Sequence, residues 1–246
     1  MARGSAKACE TGAMNELPRP VVAAFDLDGT LTNGGSVFHW LCHVAGTSRA
    51  YRALLRLAIP LAIGAVRSGP SADAAKERLF HALLAGRDLD EVTAQSRAFA
   101  LAHLAEKARP RIVARLTWHL EQGHEVVVVS ASPQLYVDVM ANELKAHGAL
   151  GTRLAVDARG RLTGSYLGHN CRGAEKMRRL NEWIVQRDFP FEPEIYAYGN
   201  SRGDRRLLSG ATHPCAVGKL GRLGALREFP RLGKEGPPPT AGGSTD

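Results

Sequence analysis

Residues 21–32, Val21-Val22-Ala23-Ala24-Phe25-Asp26-Leu27-Asp28-Gly29-Thr30-Leu31-Thr32, constrain the fold of this chain more than any other stretch. A short apolar run of this kind makes a strand buried on both faces, as in parallel sheets covered by helices. It ends abruptly in two carboxylates one residue apart, and Gly29 and Thr30 can bend the backbone away at once. In open parallel sheets, ligands bind outside the carboxyl ends of the strands. Alternate side chains of a strand share a face, so Asp26 and Asp28 start on one side and a turn at Gly29 can part them. The plainer reading of the stretch is a strand followed by an Asp-rich turn or a helix N-cap.

Two more strands end in polar residues. Residues 111–122 read as an amphipathic helix closed by Gly123, and residues 125–129 as a second buried strand. That strand runs into Ser130-Ala131-Ser132-Pro133, where Pro133 suits the first turn of a following helix and either serine could be its N-cap. Residues 195–198 form a third strand before Gly199-Asn200-Ser201-Arg202-Gly203-Asp204, and residues 213–217 an edge strand. Between them, residues 154–167 hold the turn Asp157-Ala158-Arg159-Gly160 flanked by two short strand-like runs. Lys176 then stands near a helix start, in Asn170-Cys171-Arg172-Gly173-Ala174-Glu175-Lys176. A lysine on a basic helix is, taken alone, an ordinary solvated residue.

Asn33-Gly34-Gly35 reads as a hinge. Beyond it, residues 36–45, 47–66, 72–84 and 89–107 carry apolar residues at helical spacing, with Ser71 and Asp73 as start signals for the third helix and Asp88 for the fourth. Residues 54–66 are apolar nearly all round but too short for a bilayer span, which needs about 20 such residues. Flanked by Arg49, Arg52, Arg56 and Arg67, this run reads as a helix buried in its own bundle or docked on a membrane surface.

The formal net charge of +8 favours anionic partners, but the basic residues are dispersed, so no specific nucleic acid is expected. Four cysteines, Cys9, Cys42, Cys171 and Cys215, form no Cys-x-x-Cys pair, which indicates neither a zinc site nor a disulfide framework and fits a reduced cytoplasmic setting. Residues 1–20 lack an apolar signal core and read as a disordered leader, with Met14 as an alternative start to Met1. The Pro- and Gly-rich residues 233–246 read as a disordered tail. The nine histidines show no ligand spacing, and His169 lies nearest the candidate residues in sequence.

Taken together and in this order, Asp26-x-Asp28-Gly29-Thr30-Leu31-Thr32, the Ser130 turn, Lys176 and Asn200-to-Asp204 resemble the four motifs of the haloacid dehalogenase superfamily, subfamily IB, phosphoserine-phosphatase-like. The resemblance implies an α/β fold: a Rossmann-like three-layer α/β/α core with a parallel sheet, residues 21–34 and 109–232, and an α-helical cap, residues 35–108, inserted between the first and second motifs. It implies Asp26 as nucleophile and Asp28 as general acid and base. Thr30, Ser130, Ala131 and Lys176 would bind the phosphate. A magnesium ion (Mg2+) would be held by Asp26, the Asp28 backbone carbonyl, Asn200 and Asp204. The family has an acid where this chain has Asn200, and an amide oxygen can ligate magnesium but brings no charge.

The implied activity is magnesium-dependent hydrolysis of a phosphomonoester through an aspartyl-phosphate, on a small phosphorylated metabolite. Phosphoserine itself is disfavoured, because the Glu that reads its amino acid part falls at Gly35 here, and Gly29 replaces the usual Ser. One rival is a phosphatidylglycerophosphate-type lipid phosphatase working peripherally at the inner membrane face. Another, from a different class, is a non-catalytic basic binding or regulatory protein on the same scaffold. Oligomeric state is not readable from the sequence.

Overall fold

The computed structural model describes residues 19–57, 70–218 and 226–232. Its centre is a five-stranded, wholly parallel sheet in the order β3-β2-β1-β6-β7, formed by β1 (Val21–Phe25), β2 (Glu125–Pro133), β3 (Gly148–Thr152), β6 (Glu194–Gly199) and β7 (His213–Ala216). β1 is the middle strand. The chain builds outward from it to β2 and β3, then returns to its other side for β6 and β7. That reversal leaves a crevice at the end of β1, the place where open sheets of this kind bind ligands.

Both faces of the sheet are dry. Ala23, Phe25, Val126 and Val128 belong to one apolar cluster, and Val22, Ala24, Val127 and Val129 to the other, the alternation a strand of period two requires. The first cluster takes in α5 (Pro110–Glu121) through Ile112 and Leu116, and α6 (Gln134–Glu143) through Val137 and Met140. The second takes in α7 (Ala174–Val185) through Leu180 and α8 (Arg205–Ser209) through Leu207 and Leu208. These are the three layers the sequence implied. Each fully buried Val or Leu contributes about 1.5–3 kcal/mol, so the layers hold the strand ends rigidly.

Between β1 and α5 lie four described helices: α1 (Val37–Ala45), α2 (Thr47–Arg56), α3 (Pro70–Leu84) and α4 (Leu89–Lys107). α4 starts where expected, with Asp88 Oδ1 accepting from the Asp90 and Glu91 amides. α3 begins earlier, at Pro70, so Ser71 and Asp73 sit within its first turn instead of preceding it; proline is at home there because its missing N–H would be unpaired anyway. Most of the apolar run 54–66 lies outside the described residues. Among those described, no helix is long and apolar enough to cross a membrane. The segment leaves and rejoins the sheet through a narrow neck, where Asn33 N–H donates to Lys107 O and Arg109 N–H to Leu31 O, both at 2.8 Å. Trp40 packs against Phe80 and Tyr136 and donates to Ser96 Oγ, so the described helices and the sheet share one apolar cluster.

Two expectations are corrected. β2 runs on to Pro133, which stays extended and pairs with Thr152; the helix starts only at Gln134, and neither Ser130 nor Ser132 caps it. Secondly, β3 was not foreseen. Its glycines are steric necessities: a Cβ at Gly148 would meet the Trp183 ring at 2.5 Å, and one at Gly151 the Gln134 backbone at 2.8 Å. The two strand-like runs around Asp157 are an antiparallel hairpin, β4 (Leu154–Val156) and β5 (Leu162–Tyr166), and β5 lies along α3. Cys42, Cys171 and Cys215 are free thiols.

Candidate active site

The end of β1 fixes the first acid. Asp26 N–H continues the ladder to Tyr198 O, so its carboxylate is delivered into the crevice by backbone pairing. Lys176, from the first turn of α7, reaches it: Nζ donates to Asp26 Oδ1 at 2.5 Å and to Asp204 Oδ1 at 2.6 Å. All three side chains are buried, the lysine only 2 % exposed. Asp204 also accepts from the Asn200 and Ser201 amides and the Ser201 hydroxyl through Oδ2.

One cation between two buried acids leaves the cluster with a net negative charge. Burial works against the Lys176 charge, but the two carboxylates outweigh it and hold the amine firmly protonated. Burial also works against the Asp204 charge; Lys176 and the Ser201 donors overcome it and hold its carboxyl below the usual range. Asp26 bears the remainder. Burial first, and the Asp204 charge second, push its carboxyl up, against the pull of Lys176.

Asp28 is turned elsewhere. Its Oδ1 accepts from Ser36 N–H at 2.9 Å and its Oδ2 from Ser132 Oγ at 2.6 Å, while Ser36 Oγ in turn meets Tyr136 Oη at 2.7 Å. The two acids therefore diverge, as the turn at Gly29 allows. Gly29 has φ +82°, and a Cβ there would strike Asn200 Nδ2 at 1.9 Å, so only glycine fits both the turn and the approach.

Several expected residues gather here in altered parts. Thr30 is buried with Oγ1 donating to Asp26 Oδ2 at 2.9 Å, which makes it a brace for Asp26. Ser130 is buried beside the acids, its Oγ accepting from Ser132 N–H. Ala131 lies at the same strand end, with its carbonyl accepting from Lys76 and Thr152. Asp204 takes Lys176 on Oδ1 and three donors from residues 200 and 201 on Oδ2, which leaves Oδ1 a lone pair to offer a metal. His169 lines a different cavity, with Gln134, Arg153 and Trp183, and the histidine that feels the Asp28 charge is the buried His103 of α4.

Among the described residues, no group of three or more His, Cys, Asp or Glu is arranged to hold a metal. The chemistry still fits magnesium. Asn200 Oδ1 is buried with no hydrogen-bond partner, beside Gly29 and a cavity of about 500 Å3 that Asp28 also lines. An orphaned oxygen next to a cluster of net negative charge is what a hard divalent cation needs.

Sequence reasoning missed Ser36, Tyr136 and above all Lys76. The signal for Lys76 was there: it occupies a position on the buried stripe of α3, with Ala75, Leu79, Phe80 and Leu83, where a charge is out of place.

A sequence model of haloacid dehalogenase-like hydrolases matches residues 23–209. The chain is 35% identical to protein CicA of Caulobacter vibrioides over 213 residues, 85% of this chain and 90% of that one. It is 26% identical over 240 residues to phosphoserine phosphatase SerB1 of Mycobacterium tuberculosis, covering 86% and 74% of the two. Among solved structures, a Bordetella pertussis protein of unknown function superposes with TM-score 0.73 at 24% identity, covering 88% of this chain and 99% of that one. A phospho-aspartyl intermediate analogue of phosphoserine phosphatase superposes with TM-score 0.58 at 18% identity, covering 81% and 87%.

Proposed function

Because the chain belongs to the haloacid dehalogenase-like hydrolase family, we propose that it is a magnesium-dependent phosphomonoester hydrolase acting through an aspartyl-phosphate on a small phosphorylated metabolite. The observation that carries this reading is the buried Asp26–Lys176–Asp204 cluster at the end of β1. A binding module has no use for a desolvated nucleophile held this way, because burying such charges costs several kcal/mol per ion.

Phosphate monoesters resist attack because their oxygens repel nucleophiles, so a protein must neutralise charge and align an anionic attacker. Asp26, steadied by Thr30 and Lys176, attacks phosphorus, the ester P–O bond breaks, and the phosphoryl group is carried on the carboxylate. Asp28 gives a proton to the departing oxygen and later takes one from the water that frees the phosphate. Ser36 and Ser132 hold that acid in place for both steps. Lys176 and Ser130 stabilise charge on the transferred group. Asp26, the Asp28 carbonyl, Asn200 and Asp204 would hold magnesium, which would supply further positive charge against the phosphoryl group; Asp204 also fixes Lys176 and the Asn200 backbone.

Hydrolysis of p-nitrophenyl phosphate with and without magnesium tests this. Magnesium-dependent release that disappears in Asp26→Asn supports the reading, and turnover that survives the substitution refutes it.

A further inference from the structure

The cap contributes one cation to the crevice that the chemistry above does not use. Lys76 Nζ, from α3, donates to Ala131 O at 2.6 Å and Asn170 Oδ1 at 3.0 Å, and lies over the Phe80 and Tyr166 rings at 5.3 and 5.7 Å. Ala131 follows Ser130 at the strand end, so this amine stands at the phosphate side of the crevice. It also feels the charge of Asp28, the acid that faces the leaving oxygen.

We propose that Lys76 is a specificity-determining residue that reads a second anionic group, a carboxylate or a phosphate, on the alcohol that leaves. This rests on the phosphatase reading and names the class of substrate for it. Both protein acceptors of the amine are neutral, and an ammonium has three N–H donors, so one has no acceptor among the described residues. Thr152 Oγ1 is within 2.7 Å of both acceptors and its single proton can satisfy either, so the carbonyl does not depend on the lysine. Burial lowers the amine to about 8, with Asp73 and Asp28 opposing from a distance. A lysine placed only to tie α3 to the sheet gains nothing from a charge kept at that cost, whereas an arriving anion relieves it.

The test is a ratio. Steady-state kinetics are run on 3-phosphoglycerate (carboxylate), propanediol bisphosphate (second phosphate), glycerol 3-phosphate (neutral diol) and phosphoethanolamine (cationic), for wild type, Lys76→Met, Lys76→Gln and Lys76→Arg. Wild type is expected to favour one of the two anionic substrates over the neutral one, and which one identifies the group. In the Met and Gln variants that preference should fall by about 10- to 100-fold, the weight of a hydrogen bond to a charged group, mainly through KM, with Arg retaining most of it. Gln keeps a donor for Ala131 while removing the charge, so its loss of preference separates reading an anion from tying the cap down. A uniform loss across all four substrates, or an unaltered preference in Lys76→Gln, overturns the proposal. Calorimetric binding of 3-phosphoglycerate and glycerol 3-phosphate to Asp26→Asn, with and without Lys76→Gln, reads the same preference without turnover. An absence of hydrolysis in the wild type would thus refute the phosphatase reading alone.

Discussion

Lys176 Nζ meets Asp26 Oδ1 at 2.5 Å across 150 positions of sequence, in a site where neither side chain exceeds 8 % exposure. Nothing local holds that pair; the sheet does, by bringing the ends of β1, β2 and β6 and the start of α7 to one crevice.

Removing the cation should therefore cost stability as well as turnover. Lys176→Met leaves Asp26 and Asp204 facing each other in a dry site, and breaking a buried pair in this way costs about 3–5 kcal/mol. Urea unfolding should show that loss, and Lys176→Met combined with Asp204→Asn should recover part of it. A single variant as stable as wild type would mean the cluster is hydrated in solution.

Asn200→Asp should tighten magnesium binding, because it turns the orphaned amide oxygen into a charged ligand. Without magnesium the same change adds an acid beside Asp26 and Asp204 and should lower Tm; with magnesium the difference should shrink or reverse. Thermal unfolding across a magnesium titration reads this independently of activity. An identical midpoint concentration in both proteins would remove Asn200 from the metal site.

The pH dependence of stability has an assignable part away from the site. His119 is fully buried, with Nε2 2.9 Å from Tyr198 Oη and Nδ1 2.8 Å from His124 Nδ1. Burial, aided by His124 and Arg115, lowers its imidazole from 6.5 to about 3. Below pH 6.5 the unfolded chain takes up a proton that the folded chain refuses until about pH 3, so stability falls as pH falls through that window. The contribution is fully present above 6.5 and amounts to roughly 2 kcal/mol lost by pH 5. In His119→Gln the stability profile between pH 7.5 and 5 should be flatter by that amount; a parallel profile contradicts the assignment.

Gly29→Ala should be severe. The added Cβ would overlap Asn200 Nδ2, and the residue would be forced to hold φ +82°. A loss of about 2 kcal/mol or more in stability is expected, together with loss of turnover. Wild-type behaviour would show that the Asp28 turn relaxes freely.

How much of this was legible in the sequence depends on the kind of force involved. Apolar runs ending in polar residues gave away β1, β2 and β6, because burial in the middle of a covered sheet leaves a plain compositional mark. Asp26, Lys176 and Asp204 were legible only as an ordered set, since each taken singly has an ordinary structural reading. β3 was hidden because Gly148 and Gly151 answer to the bulk of Trp183 and the backbone of Gln134, neighbours that only the fold supplies. The contact of Thr30 with Asp26 was hidden for a related reason: its motif position places it near the phosphate, while only the geometry shows its hydroxyl donating to Asp26. Ser36, just before the first inserted helix, leaves no mark of its partner, and the place of Lys76 on the apolar stripe of α3 marks it as unusual without saying that its turn faces the crevice.

The most direct test of the account is to catch the phosphoryl group on the protein. Wild type is mixed with substrate and magnesium, quenched in acid, reduced with borohydride and mapped by peptide mass spectrometry. An acyl phosphate on Asp26 is reduced to homoserine, so conversion is expected at position 26 and nowhere else, and none in Asp26→Asn. Phosphate release by active enzyme with Asp26 unmodified at every quench time, or label on another residue, would contradict it.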